Sequence, residues 1–115
     1  MSRSFSTTSL FSEASAPDSS ERFDVLAQVK NVTIERIVSS GTQPVASFLQ
    51  DHDEWVLLVS GEAEMTVNGE HVSLKAGDTL HLPAGVAHEV LKTSVHALWL
   101  AVHIRINRNS VNANW

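Results

Sequence analysis

Glu62-Ala-Glu-Met-Thr-Val-Asn-Gly-Glu-His-Val-Ser-Leu74 is the stretch on which the fold turns. Its Asn68-Gly69 dipeptide supplies two adjacent positions that accept positive φ, as a type I′ turn requires, and so predicts a two-residue β-hairpin. Such a loop sets Val67 opposite Glu70, Met65 opposite Val72 and Ala63 opposite Leu74. One face of the hairpin is then apolar apart from its rim, while Glu64, Thr66, His71 and Ser73 point to solvent.

Outward from the hairpin, apolar residues recur with period two and the breaks fall at Gly, Pro, Asn and Asp, a pattern of short strands and turns. Val32, Ile34 and Ile37 predict a first strand, and Gly41 to Pro44 a turn. Further strands are expected over 79–82, 86–92 and 95–106, separated by Ala76-Gly77-Asp78 and Pro83-Ala84-Gly85. The last strand reads as the most buried. Its even positions, Leu98 to Ile106, are all apolar, and its odd face carries Trp99, Ala101, His103 and Arg105. Frequent turns with little helix predict an all-β sandwich or small barrel.

The chain has 115 residues, 43% hydrophobic and 18% charged, which is one globular domain's worth. Residues 1–20 hold eight serines and two threonines and read as a flexible arm, with Leu10 and Phe11 as its adjacent apolar pair. The packed domain is expected over 21–106, followed by a polar tail over 107–115. A net charge of −5 argues against nucleic-acid binding. There is no cysteine, which removes disulfides, thiolate metal sites and cysteine nucleophiles. The longest apolar runs, 55–59 and 97–102, fall far short of the roughly 20 residues of a membrane span. Arg3 is followed by Ser and Thr rather than an apolar leader, so a cytoplasmic protein without membrane contact is expected. Three tryptophans and the apolar last strand, in so small a domain, predict a homodimer.

Two segments resemble the cupin family. Gly77-Asp-Thr-Leu-His-Leu-Pro83-Ala-Gly85-Val-Ala-His88 fits the family's second motif, G-x5-P-x-G-x2-H, throughout. The first motif is met in its second half, where Glu54 is followed after six residues by Gly61; Phe48 and Gln50 stand where its paired histidines belong. Asp53-Glu-Trp-Val56 and the closing Leu98-Trp-Leu-Ala-Val-His103 are similar to a sub-group of small single-domain cupins. The resemblance implies a double-stranded β-helix, a jelly-roll-like barrel, and gives His88 the place of a metal-ligating histidine. It also implies dimerisation. One barrel hosts many chemistries, so function rests on the site.

In an extended segment residues two apart share a face, which would turn Gln50, His52 and Glu54 the same way. With His88 from an opposing strand they form a mixed nitrogen and oxygen ligand set suited to Zn, Fe, Mn or Ni. The plainer alternatives are an exposed turn for His52, a surface ion pair for Glu54 and a backbone-bonded core histidine for His88. His103 shares a face with Ala101 and Trp99; either that face is a cavity floor, with His103, Trp99 and Phe48 as candidate ligand-binding groups, or it is the outside of the barrel. His81, His71 and His96 are assigned to structure or solvent. No G-x-S-x-G and no glycine-rich phosphate loop is present. The expected function is a barrel that binds a divalent metal and binds or acts on a small molecule. The alternative is a metal-free small-ligand-binding or dimerisation module.

Overall fold

The hairpin forms in the register read from its turn. In the structure, a computed structural model that describes residues 4–106, Asn68 and Gly69 take φ of 51° and 80°. They join β5 (Glu62–Val67) to β6 (Glu70–Lys75), with Val67 opposite Glu70, Met65 opposite Val72 and Ala63 opposite Leu74. The other strands are β1 (Glu21–Val29), β2 (Val32–Ser39), β3 (Ala46–Phe48), β4 (Asp53–Ser60), β7 (Thr79–Leu82), β8 (His88–Thr93) and β9 (Ala97–Ile104). No helix occurs among the described residues, and none is long and apolar enough to cross a membrane. The tail expected over 107–115 lies outside the described residues.

Two antiparallel sheets face each other as a jelly-roll barrel, the double-stranded β-helix expected. One has the order β1-β2-β9-β4-β7 and the other β3-β8-β5-β6. Val56, Leu58 and Trp99 from the first sheet meet Ala63, Met65 and Leu74 from the second to make the core. Strand β1 is absent from the sequence reading, which began its strands at Val32. As an edge strand bulged at Leu26, β1 lacks a clean period-two pattern, and its Phe23, Val25 and Val29 are exposed.

The faces of β9 decide between the two readings that the sequence left open. Its odd residues Ala97, Trp99, Ala101 and His103 are the buried inner face, whereas the even face runs from buried Leu98 to exposed Ile104. Apolarity alone does not separate the faces, because the inner face carries a polar site and the outer face is partly covered.

Part of that cover is the Ser/Thr-rich arm. Ala16 is buried against Val38 and Leu98, with Leu10, Ala14 and Val59 packed around them. Arg36, itself buried on β2, donates to the carbonyl oxygens of Leu10 and Ser12 and binds Asp24 Oδ2 through Nε (3.0 Å) and a terminal nitrogen (2.8 Å). The hydrogen bonds from Arg36, with Arg22 adding to them, hold the Asp24 carboxyl below the ordinary carboxylate value. A group depressed in the folded state stabilises the fold while ionised. This contribution is complete above about pH 4 and drains away as pH falls through the folded pKa. Asp24→Asn is therefore expected to flatten the acid limb of a stability-versus-pH curve below about pH 4, read by urea denaturation.

Gly41 sets the turn after β2 against the turn before β9. At φ 96° it holds a conformation that side chains disfavour, and a Cβ there would lie 2.8 Å from Val95 Cα. Gly41→Ala should cost about 2–3 kcal/mol, the sum of left-handed strain and a backbone clash that no rotamer relieves. Chemical denaturation checks it, and an unchanged midpoint would refute the packing argument.

Candidate functional site

The polar residues that interrupt the core gather at one end of the barrel, around a cavity of about 260 Å³. Strand pairing explains how. Central strand β4 lies between β9 and β7, so Glu54 sits beside His103 on one side and Leu82 on the other. Across the barrel β3 pairs with β8, placing Phe48 opposite His88, and their rings stack at 5.2 Å and 19°. Gln50 and His52 lie in the connection from β3 to β4, and both line the cavity with Glu54, His88 and His103.

Glu54 is buried, and desolvation pushes its carboxyl above the ordinary value, opposed by His103, His88 and the Gln50 amide and reinforced by Glu35. Its oxygens lie 3.9 Å from His103 Nε2 and 4.0 Å from His88 Nε2, too far for hydrogen bonds. Gln50 Oε1 is buried with no hydrogen-bond partner among the described residues. His88 Nδ1 lies 3.4 Å from the Val86 carbonyl oxygen. That oxygen can only accept, so in a neutral His88 Nδ1 is the protonated nitrogen and Nε2 keeps a lone pair toward Glu54.

His52 and His103 form a separate chain. His52 Nε2 is 2.9 Å from His103 Nδ1, and His103 Nε2 is 3.2 Å from Glu35 Oε1. Because the carboxylate accepts, a neutral His103 is protonated on Nε2 and takes its second bond from the His52 Nε2–H. Desolvation, with Arg105 and His103 adding to it, lowers the His52 pKa against an opposing Asp51, which favours the neutral ring.

All seven residues singled out from the sequence as ligand or lining groups therefore border one cavity. They divide unequally. Gln50 Oε1 has no donor among the described residues and lies with the Glu54 carboxyl and His88 Nε2, whereas His52, also offered by the sequence as a ligand, has its Nε2 committed to His103. His52 is also half-buried rather than an exposed turn residue. Phe48 and Trp99 form walls, and the Trp99 indole donates to Ser39 Oγ at 3.1 Å. His81 is exposed on the outer face, as expected. Glu35, Thr33 and Arg105 were not recognised from the sequence. Their signal was available as strand alternation, since Thr33 and Glu35 share the face of Ile37.

A metal was tested against these donors. Among the described residues no group of three or more His, Cys, Asp or Glu is arranged to hold a metal ion. The set becomes three only when the orphaned Gln50 Oε1 joins Glu54 and His88, and in donor chemistry that mixed set fits a divalent cation.

Comparison with known proteins gives the lineage. No curated protein matches. A crystal structure of a candidate mannose-6-phosphate isomerase from Ralstonia eutropha is 34% identical, covering 88% of this chain and 99% of its own, with a TM-score of 0.79. A conserved protein of unknown function from Streptococcus pyogenes aligns at 20% identity over 91% of each chain with a TM-score of 0.75. An RmlC-like cupin from Shewanella frigidimarina aligns at 19% identity, covering 96% of this chain and 97% of its own, with a TM-score of 0.67. The last two show the shared fold. The cupin-domain family model matches residues 37–103, more than half of the chain and every strand that builds the cavity apart from β1 and the start of β2, and the protein belongs to the cupin family.

Proposed function

We propose that this cupin holds a divalent metal ion between Gln50, Glu54 and His88 and uses it to bind or transform a small molecule in the barrel. The observation that carries the reading is the convergence of buried acceptor atoms, one of them without a donor. Gln50 Oε1 has no partner among the described residues, the Glu54 carboxyl meets the Gln50 amide but stands 3.9 Å and 4.0 Å from the two histidines, and His88 turns Nε2 toward it. Buried acceptors of this kind are costly unless something electropositive meets them. When bound, the ion would supply Lewis acidity and lower the pKa of a bound water. Val86 fixes the His88 tautomer, and Phe48 fixes the ring plane by stacking. Met65, Val56 and Trp99 provide the apolar wall against which a ligand body packs. A cavity of about 260 Å³ suits a ligand smaller than the drug-sized molecules that fill roughly 300–1,000 Å³.

The test is elemental analysis of untagged protein purified aerobically and anaerobically with added Zn, Fe, Mn or Ni. A stoichiometric ion is expected. Absence of metal under every condition would replace this reading with the metal-free binding module.

A homodimer in a reducing compartment such as the cytoplasm completes the proposal, in keeping with a chain that has no cysteine. The outer face of the larger sheet supports association: Trp55, Leu57, Leu100 and Val102 are only half-buried there and Ile104 is exposed. Sedimentation at micromolar concentration should give twice the chain mass, and a strict monomer would refute the dimer.

A further inference from the structure

We propose that the cavity selects a small organic oxyanion, a molecule with an apolar body and a carboxylate or phosphoryl end, and that Arg105 is the residue that reads the charge. The inference rests on the reading that the cavity is the ligand site, but it does not require metal. Its basis is one fixed cation among many acceptors. Among the described residues lining the cavity, Arg105 is the only lysine or arginine.

Arg105 follows directly on β9 and its backbone is held to Asn31 from both sides, N–H to O at 2.9 Å and O to the Asn31 amide at 2.6 Å. A terminal guanidinium nitrogen donates to Thr33 Oγ1 at 3.1 Å, and Thr33 is buried. The side chain is thus steered inward by a hydroxyl, and no ion pair joins it to a carboxylate among the described residues. A guanidinium has five donors in a planar fork, so one bond to Thr33 leaves a bidentate edge for an oxyanion.

The neighbouring carboxylates do not claim that edge. Glu35 accepts from His103 at 3.2 Å, and Glu21 accepts from the Ser39 hydroxyl at 2.8 Å. Arg105 and Phe23 are both exposed residues of the lining, which places the charged end of the ligand at the mouth and its apolar body inward against Trp99.

The experiment is an NMR titration of the full-length protein with benzoate, phenyl phosphate and neutral benzyl alcohol at millimolar concentration. It follows the Trp99 indole and Arg105 side-chain resonances with and without chelator. Benzoate or phenyl phosphate should bind at least about tenfold more tightly than benzyl alcohol, as expected for a charge-assisted bidentate pair. Whichever of the two binds better assigns the carboxylate or the phosphoryl end. Arg105→Gln should bring benzoate and phenyl phosphate down to the affinity of benzyl alcohol, and Arg105→Lys should restore part of the preference. Equal affinity for charged and neutral ligands, no response from Trp99, or an unaltered preference in Arg105→Gln would each overturn the inference. A metal-free protein that still prefers benzoate through Arg105 would uphold it while refuting the metal reading. A metal-loaded protein without that preference would do the reverse.

Discussion

His88→Ala is expected to yield a folded protein that retains no metal. In the wild type the ring is buried beside Glu54, is stacked on Phe48, and keeps Nε2 free because Nδ1 is turned to the Val86 carbonyl. Removing it takes away the only uncommitted imidazole nitrogen in the set, since His52 and His103 are bonded to each other. Glu54→Gln should reduce metal content nearly as far, because the only negative charge in the set is lost. Gln50→Ala should have an intermediate effect. Two readouts are needed. Metal per chain by mass spectrometry should fall to background in His88→Ala, and chelation should lower the melting temperature of the wild type but not of the variant, since an ion at a thousand times its Kd contributes about 4 kcal/mol. The variant itself should lose only about 1–2 kcal/mol from ring contacts. Full metal occupancy in His88→Ala would mean that the ion lies elsewhere.

Arg36→Ala should produce a large loss of stability, about 2–3 kcal/mol, because it strips the main charge partner from Asp24 and two carbonyl oxygens of their donor at once. Asp24 keeps part of its solvent contact, which holds the loss below that of breaking a fully buried pair. At roughly 4–8 °C per kcal/mol for a domain of this size, the melting temperature should fall by about 10–20 °C. The arm should also become sensitive to limited proteolysis near Leu10, since the guanidinium that grips Leu10 and Ser12 is gone. A variant with the same melting temperature and proteolytic pattern would show that Ala16 and Leu10 hold the arm by packing alone.

The legible parts of this protein were those whose information is local. Asn68-Gly69 fixes a turn, the turn fixes a register, and the register fixes which side of the hairpin meets the core. The run from Gly77 to His88 likewise places a histidine at the start of a strand. What was not legible depends on partners distant in sequence. The inner face of β9 could not be told from its outer face, because Ala97 and Ala101 look unremarkable beside Leu98 and Leu100 until the opposing sheet and the docked arm are both in place. Glu35 became a site residue only through pairing of β2 with β9, which sets it 3.2 Å from His103 at a separation of 68 residues. Spacing left open whether His52 faces the barrel interior, and its tie to His103 is a long-range contact that spacing cannot reveal.

The position of β9 also governs the order of assembly. This last strand lies between β2 and β4 and pairs with both. Until it has been synthesised, the β1–β2 hairpin and the β4–β7 pair have no common neighbour, and the larger sheet is two fragments with unsatisfied edges. The β5–β6 hairpin, closed by a two-residue loop, can nucleate long before. Folding is thus split in time, with a local start and a non-local finish that must close loops of many tens of residues, and such topologies fold slowly. On the ribosome the wait leaves β2 and β4 edges exposed to other chains, so the risk of aggregation is concentrated in the interval before the final strand emerges.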